Sequence, residues 1–140
     1  MGSRPSTGTR RPVLVDTDVL IEYLRGSDAA QQLFESIPYA GRVLSAIVAM
    51  ELLQGVRNRS ELRRLTRFFE SAFGGGTVHI STEISRRASA LLERHTLAHR
   101  MAPADALIAA TALTERAALA TGNHRHFAFV SGLSLIPFGE

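Results

Sequence analysis

The chain has 140 residues, 45% of them hydrophobic, enough to bury the core of one domain. It has no cysteine, which excludes a disulfide framework, thiolate chemistry and cysteine-held zinc. Its formal charge of +3 sets sixteen arginines against thirteen acids with no lysine at all, and the planar guanidinium suits phosphate recognition.

Residues 1–11 (MGSRPSTGTRR) are polar and rich in Gly, Pro and Arg, so a flexible N-terminal segment is expected there. One continuous domain, 12–140, follows. Pro12–Val15 reads as a first strand and Asp18–Leu24 as a helix ending at Gly26. Ser27 caps a second helix from Asp28 to Ile37, stopped by Pro38. Arg42–Leu44 is a short strand, and Ser45 stands at the N-cap of a helix over Ala46–Val56. Ser60–Ala72 is amphipathic, with Leu62, Leu65, Phe68 and Phe69 on one stripe.

The glycines at 74–76 form a loop before a strand over Val78–Ile80, and Ser81 or Thr82 caps a long helix to about Ala98. Pro103 suits the first turn of a helix running to about Arg116. Ala117–Ala120 and Ser134–Ile136 complete the strands. This alternation predicts an α/β sandwich with a mostly parallel sheet, whose ligands sit at the carboxyl ends of the strands. No apolar run reaches the roughly 18 residues of a membrane span, and the start does not resemble a signal peptide. A soluble, cytoplasmic protein with no membrane association is expected.

Three carboxylates stand in apolar company. Asp16 follows Val13-Leu14-Val15 at the end of the first strand, where a helix cap is its simplest use. Glu51 interrupts IVAMELL and is the one ionisable residue between Arg42 and Arg57. Asp105 is the lone charge in MAPADALIAATAL, where a helix start would stabilise it. Singly, each has a structural account. Together they gather on one edge of a parallel sheet, where they would repel and drive one another toward protonation. A hard divalent cation, Mg²⁺ or Mn²⁺, removes that penalty. Such a cluster is suited to metal-assisted phosphodiester cleavage.

Asp16-Thr17-Asp18 also matches the first motif of aspartyl-phosphate enzymes of the haloacid-dehalogenase type. Those enzymes use a lysine to neutralise the phosphoryl group, and this chain has none. Asp18, in the first turn of the following helix, is expected to be chiefly structural. His95 and His99 are spaced to share a metal, but as residues at a helix C-terminus they read as solvent-facing.

The pieces VLVDTDVLIEYLRG (13–26), LSAIVAMELLQG (44–55), PADALIAATAL (103–113) and, more weakly, ATGNHRHF (120–127) resemble PIN-domain ribonucleases, most closely the VapC toxins of type II toxin–antitoxin pairs. The resemblance implies a three-layer α/β/α sandwich with a central sheet of four to five strands. It also implies a metal-dependent endoribonuclease acting on RNA, a VapB-like antitoxin as partner, and a homodimer. Residue by residue, Asp16, Glu51 and Asp105 fall on the family's acidic metal positions, Ser45 on its small polar residue and Thr121 on its threonine.

The departure is Asn123 and His126, at positions often acidic in the family. Asn123 is then a neutral oxygen ligand or rim contact beside Thr121, and His126 a surface residue more than a substrate contact. Arg25, and after it the arginines of 57–67, are the expected RNA-backbone contacts. The alternative is a PIN domain that acts in RNA processing, or one that binds RNA or protein without cleaving.

Overall fold

A computed structural model describes residues 11–139. The expected flexible segment lies outside the described residues except for Arg11. That residue is tied down: its guanidinium donates to Ser134 Oγ at 2.9 Å and to the Arg116 carbonyl at 3.3 Å.

In chain order the elements are β1 (Val13–Val15), α1 (Thr17–Leu24), α2 (Asp28–Ser36), a 3₁₀ turn (Tyr39–Gly41), β2 (Arg42–Ser45) and α3 (Ala46–Gln54). There follow α4 (Arg59–Ala72), β3 (Thr77–Val78), α5 (Thr82–His99), α6 (Pro103–Glu115), β4 (Ala118–Thr121), a second 3₁₀ turn (His124–His126) and β5 (Leu135–Pro137). The strands form one parallel sheet in the order β3-β2-β1-β4-β5, flanked by helices. The α/β expectation holds, with five strands. Among the described residues no helix is long and apolar enough to cross a membrane.

Every residue of β1 and β4 is buried, which is why both read as continuous apolar runs: a central parallel strand is covered on both faces. Helix α6 buries Ala106, Ile108, Ala109, Ala110, Thr111 and Ala112. Its alanines let it lie close to the sheet, and the buried Thr111 hydroxyl is satisfied by the Leu107 carbonyl at 2.7 Å. Beside α1 an aromatic cluster joins Tyr23, Phe34, Phe68 and Phe73, with ring centroids 4.6–5.9 Å apart. The Arg42 guanidinium lies 4.5 Å from the Phe34 centroid.

Two local expectations shift. The third strand is Thr77–Val78, not Val78–Ile80. Pairing with β2 starts inside the glycine loop, where Gly75 N donates to the Arg42 carbonyl and Leu44 N to the Gly76 carbonyl, so the edge strand is spent before Ile80, which is exposed. On α4 only Leu65 of the stripe is fully buried, and Leu62 is 38% exposed. Leu62 stands in the first turn, ahead of the aromatic cluster that Phe68 joins.

The strand order fixes where a ligand belongs. From β1 the chain moves outward to β2 and β3, then returns across the sheet to lay β4 against β1's other side. The crevice at the carboxyl ends of β1 and β4 is therefore the topological switch point.

Candidate active site

Asp16 leaves β1 at that crevice and is the N-cap of α1. Its Oδ1 accepts from Thr17 N at 2.8 Å and its Oδ2 from the Thr121 hydroxyl at 2.7 Å. Thr121 ends β4, directly across the ladder, and its Oγ1 also accepts from Asn123 N at 2.9 Å. Asp16 is only 4% exposed. Burial pushes its carboxyl up from 3.8 to about 6, helped by the negative charges of Asp18 and Asp105 and opposed by the hydrogen bonds from Thr121 and Thr17. Among the described residues no basic side chain pairs with it.

Asp105 is the third residue of α6, after Pro103 at the first turn. Burial first, then the charge of Glu51, raises its pKa; the nearby His126 opposes. Glu51, partly buried on α3, is held by the Thr17 hydroxyl, which donates to Oε1 at 2.5 Å. The three carboxylates thus come from the end of β1, the middle of α3 and the first turn of α6, and Asp105 lies within reach of the charge of both others. Among the described residues no three acidic or imidazole side chains yet close round a common point as ligands of a cation. The donors are nonetheless all oxygen, at least partly buried and, among the described residues, without basic partners apart from His126. A hard divalent cation is the group that such a set suits.

Other expected residues take definite places. Asp18 lies in the first turn of α1; its Oδ1 accepts from Val19 N and its Oδ2 from Gly122 N at 2.9 Å, tying α1 to the loop after β4. Ser45 is buried and caps α3, its Oγ accepting from Val48 N at 3.2 Å. Asn123 is exposed and enters the network through its backbone N–H, not its side chain. Arg25 is exposed, 3.7 Å from Glu22, at the mouth of a cleft that Glu51, Arg57 and Arg64 also line.

His126, expected at the surface, is half-exposed but belongs to the site as well: its Nδ1 lies 3.2 Å from Asp105 Oδ2. Thr17 was not singled out from sequence at all. The signal was its position between two carboxylates, which makes it the first residue of a helix whose N-terminus faces the crevice. His95 and His99 do not join the site; both rings pack on Phe129, at 4.7 and 3.9 Å between centroids.

The PIN domain family model matches residues 13–132. The chain belongs to the PIN-domain family. Ribonuclease VapC19 of Mycobacterium tuberculosis is 38% identical over 117 residues, covering 81% of this chain and 90% of the relative. Ribonuclease VapC10 of the same organism is 39% identical over 120 residues, covering 82% and 85%. Among solved structures, a toxin–antitoxin complex from Klebsiella pneumoniae superposes with a TM-score of 0.73 at 31% identity, over 89% of this chain and 95% of that one. A VapBC2 complex from Rickettsia felis bound to promoter DNA gives 0.74 at 21% identity, over 91% and 98%, and so speaks to the fold alone. The PIN architecture accounts for the observed crevice: each carboxylate is carried by a different element, and only the sheet order brings them to one edge.

Proposed function

We propose that this PIN domain is a metal-dependent endoribonuclease that hydrolyses RNA phosphodiester bonds, acting in the cytoplasm as the toxin of a VapBC-type pair. The observation that supports the reading is that Asp105 lies within reach of the charge of both Asp16 and Glu51 near the switch point, with the carboxyls of Asp16 and Asp105 raised by burial and by neighbouring charge. The relatives named as VapC ribonucleases support the substrate class, and the toxin–antitoxin complex supports an antitoxin partner. A homodimer is part of the same proposal.

Asp16, Asp105 and Glu51 would hold Mg²⁺ or Mn²⁺, with Asn123 as a neutral oxygen donor at the rim. When bound, the ion supplies an activated water and offsets charge developing on the phosphorus oxygens. The chain's own residues do the positioning. Thr121 fixes the rotamer of Asp16, Thr17 that of Glu51, and His126 that of Asp105, so the carboxylates need little reordering when a cation arrives. Asp18 clamps the loop carrying Asn123. Ser45 acts at one remove, by setting the start of α3 and hence the reach of Glu51. Arg25 and Arg64 offer positive charge to the RNA backbone on the α1 side.

The test is cleavage of RNA in Mg²⁺ or Mn²⁺ and growth arrest on expression. Asp16→Asn and Asp105→Asn should each abolish both while leaving the protein folded by circular dichroism; undiminished cleavage by both variants would sink the assignment. A second reading, an RNA-binding PIN domain that does not cut, draws on the carboxylates not yet closing as a trio. Titrating Mn²⁺ into a cleavage assay separates the two.

A further inference from the structure

Two clefts flank the carboxylates. The larger, about 700 Å³, lies between α1, α3 and α4 and is also lined by Glu51 and Glu61; of its three arginines, Arg57 lies 2.8 Å from Glu61 and Arg25 3.7 Å from Glu22, and Arg64 makes no ion pair among the described residues. The smaller, about 450 Å³, opens over the carboxyl end of β4. Asn123, His124, Arg125, His126 and Phe138 line it, and among the described residues no carboxylate does. Among the described residues Arg125 has no ion-pair partner.

This second cleft is rigidly indexed to the carboxylates. Phe138 N donates to the Thr121 carbonyl at 3.1 Å, and the hydroxyl of the same Thr121 holds Asp16. The Phe138 backbone is therefore held two hydrogen bonds away from Asp16, and its partly buried side chain packs against the core at the edge of the cleft. On the other wall His126 touches Asp105. The floor is tight. A Cβ on Gly122 would come 2.6 Å from Asp18 Oδ2 and 3.2 Å from the Phe138 carbonyl, so only glycine lets β5's exit pass this close. An aromatic ring and a basic turn lining one cleft are the equipment with which proteins hold single-stranded nucleic acid: the base stacks and the backbone is neutralised.

We propose that this cleft is the subsite for the nucleotide adjoining the scissile phosphate, with Phe138 stacking its base and Arg125, assisted by His124, holding its backbone phosphate. The proposal rests on the ribonuclease reading above and assigns single-stranded RNA as the form in which substrate enters. Specificity on this side comes from stacking, so it tolerates any base but not a missing one.

The experiment measures binding of a fluorescein-labelled single-stranded RNA on the order of ten nucleotides long, by anisotropy, in the cleavage-blocked Asp16→Asn protein. Phe138→Ala and Phe138→Leu should each weaken binding at least about fivefold; the leucine variant keeps an apolar side chain and should melt as the parent does. Arg125→Ala should lower the slope of log affinity against log salt by about 0.7.

Moving a single abasic position along the RNA should find one site whose loss matches that of Phe138→Ala and adds nothing in the Phe138→Ala protein. If Phe138→Leu and Arg125→Ala bind as the parent does, or if the abasic loss persists undiminished without the ring, the subsite is overturned. RNA cleavage by the unmodified protein would then leave the nuclease reading standing. If the unmodified protein neither binds nor cuts RNA, that reading falls and takes the subsite with it.

Discussion

Asp16→Asn should remove catalysis and, without metal, make the protein more stable. In the fold the carboxyl is buried, has no basic partner among the described residues, and is raised from 3.8 to about 6. A tenfold change in proton affinity corresponds to about 1.4 kcal/mol, so the ionised side chain costs the apo fold about 3 kcal/mol at neutral pH. The sign follows from linkage. A carboxyl whose pKa is raised on folding binds protons more tightly in the native state, so its penalty is absent below about pH 4. The penalty grows as pH rises and is complete above about 6.

Asparagine removes the charge but fits the hydrogen bonds less well. Its oxygen can accept from Thr17 N, while its amide faces a Thr121 hydroxyl that must reverse its role, at about 1 kcal/mol. The net gain is about 2 kcal/mol at pH 7.5, a rise of several degrees in Tm for a chain of this size. Urea or thermal melts of both proteins in EDTA from pH 4 to 8 measure it: the advantage should shrink as pH falls and vanish or slightly reverse near pH 4, where only the hydrogen-bond cost remains. An Asn variant less stable than the parent at pH 7.5, with a gap indifferent to pH, would refute the reasoning.

A cation should reverse that order. Mn²⁺ should raise the Tm of the unmodified protein by mass action, by about 2.7 kcal/mol of stability at a hundredfold excess over Kd. The effect should weaken as pH falls through about 6, where Asp16 takes up its proton, and be mostly lost in Asp105→Asn; a flat melting curve in the unmodified protein would count against any cation site. Asp18→Asn should keep most of the cleavage activity that Asp16→Asn loses, because Asp18 serves backbone N–H groups; equal loss from both would show that the pair has been divided wrongly. Gly122→Ala should destabilise by about 1–3 kcal/mol, since its Cβ would meet Asp18 Oδ2 at 2.6 Å. Part of that loss should return in the Gly122→Ala/Asp18→Ala double variant, and strictly additive denaturation midpoints would argue against the clash.

The elements could be read because their causes are local. Ser27, Ser45 and Ser81 each accept the backbone N–H three residues on, and Pro103 opens α6, so each helix announces its own start. The continuous apolar runs of β1 and β4 likewise carry their burial in their composition. The edge strand β3 was less legible. Its pairing depends on glycine backbone against β2, and glycine has no side chain to leave a pattern. The three carboxylates stood out for the same local reason as the strands: a charge in apolar company is visible without knowing what it faces.

Their partners were not visible. The Thr121–Asp16 bond spans 105 residues, Gly122–Asp18 spans 104 and Thr17–Glu51 spans 34. Each exists because β4 inserts beside β1, while the chain's next strand, β2, takes the other side. His126 illustrates the consequence: nothing in HRHF distinguishes a surface imidazole from one lying against Asp105. Sequence alone thus determined which side chains are out of place in an apolar setting, through burial and capping that act over a few residues. Strand order, a property of the whole chain, decided which of them meet and which hydroxyl, amide or imidazole holds each one.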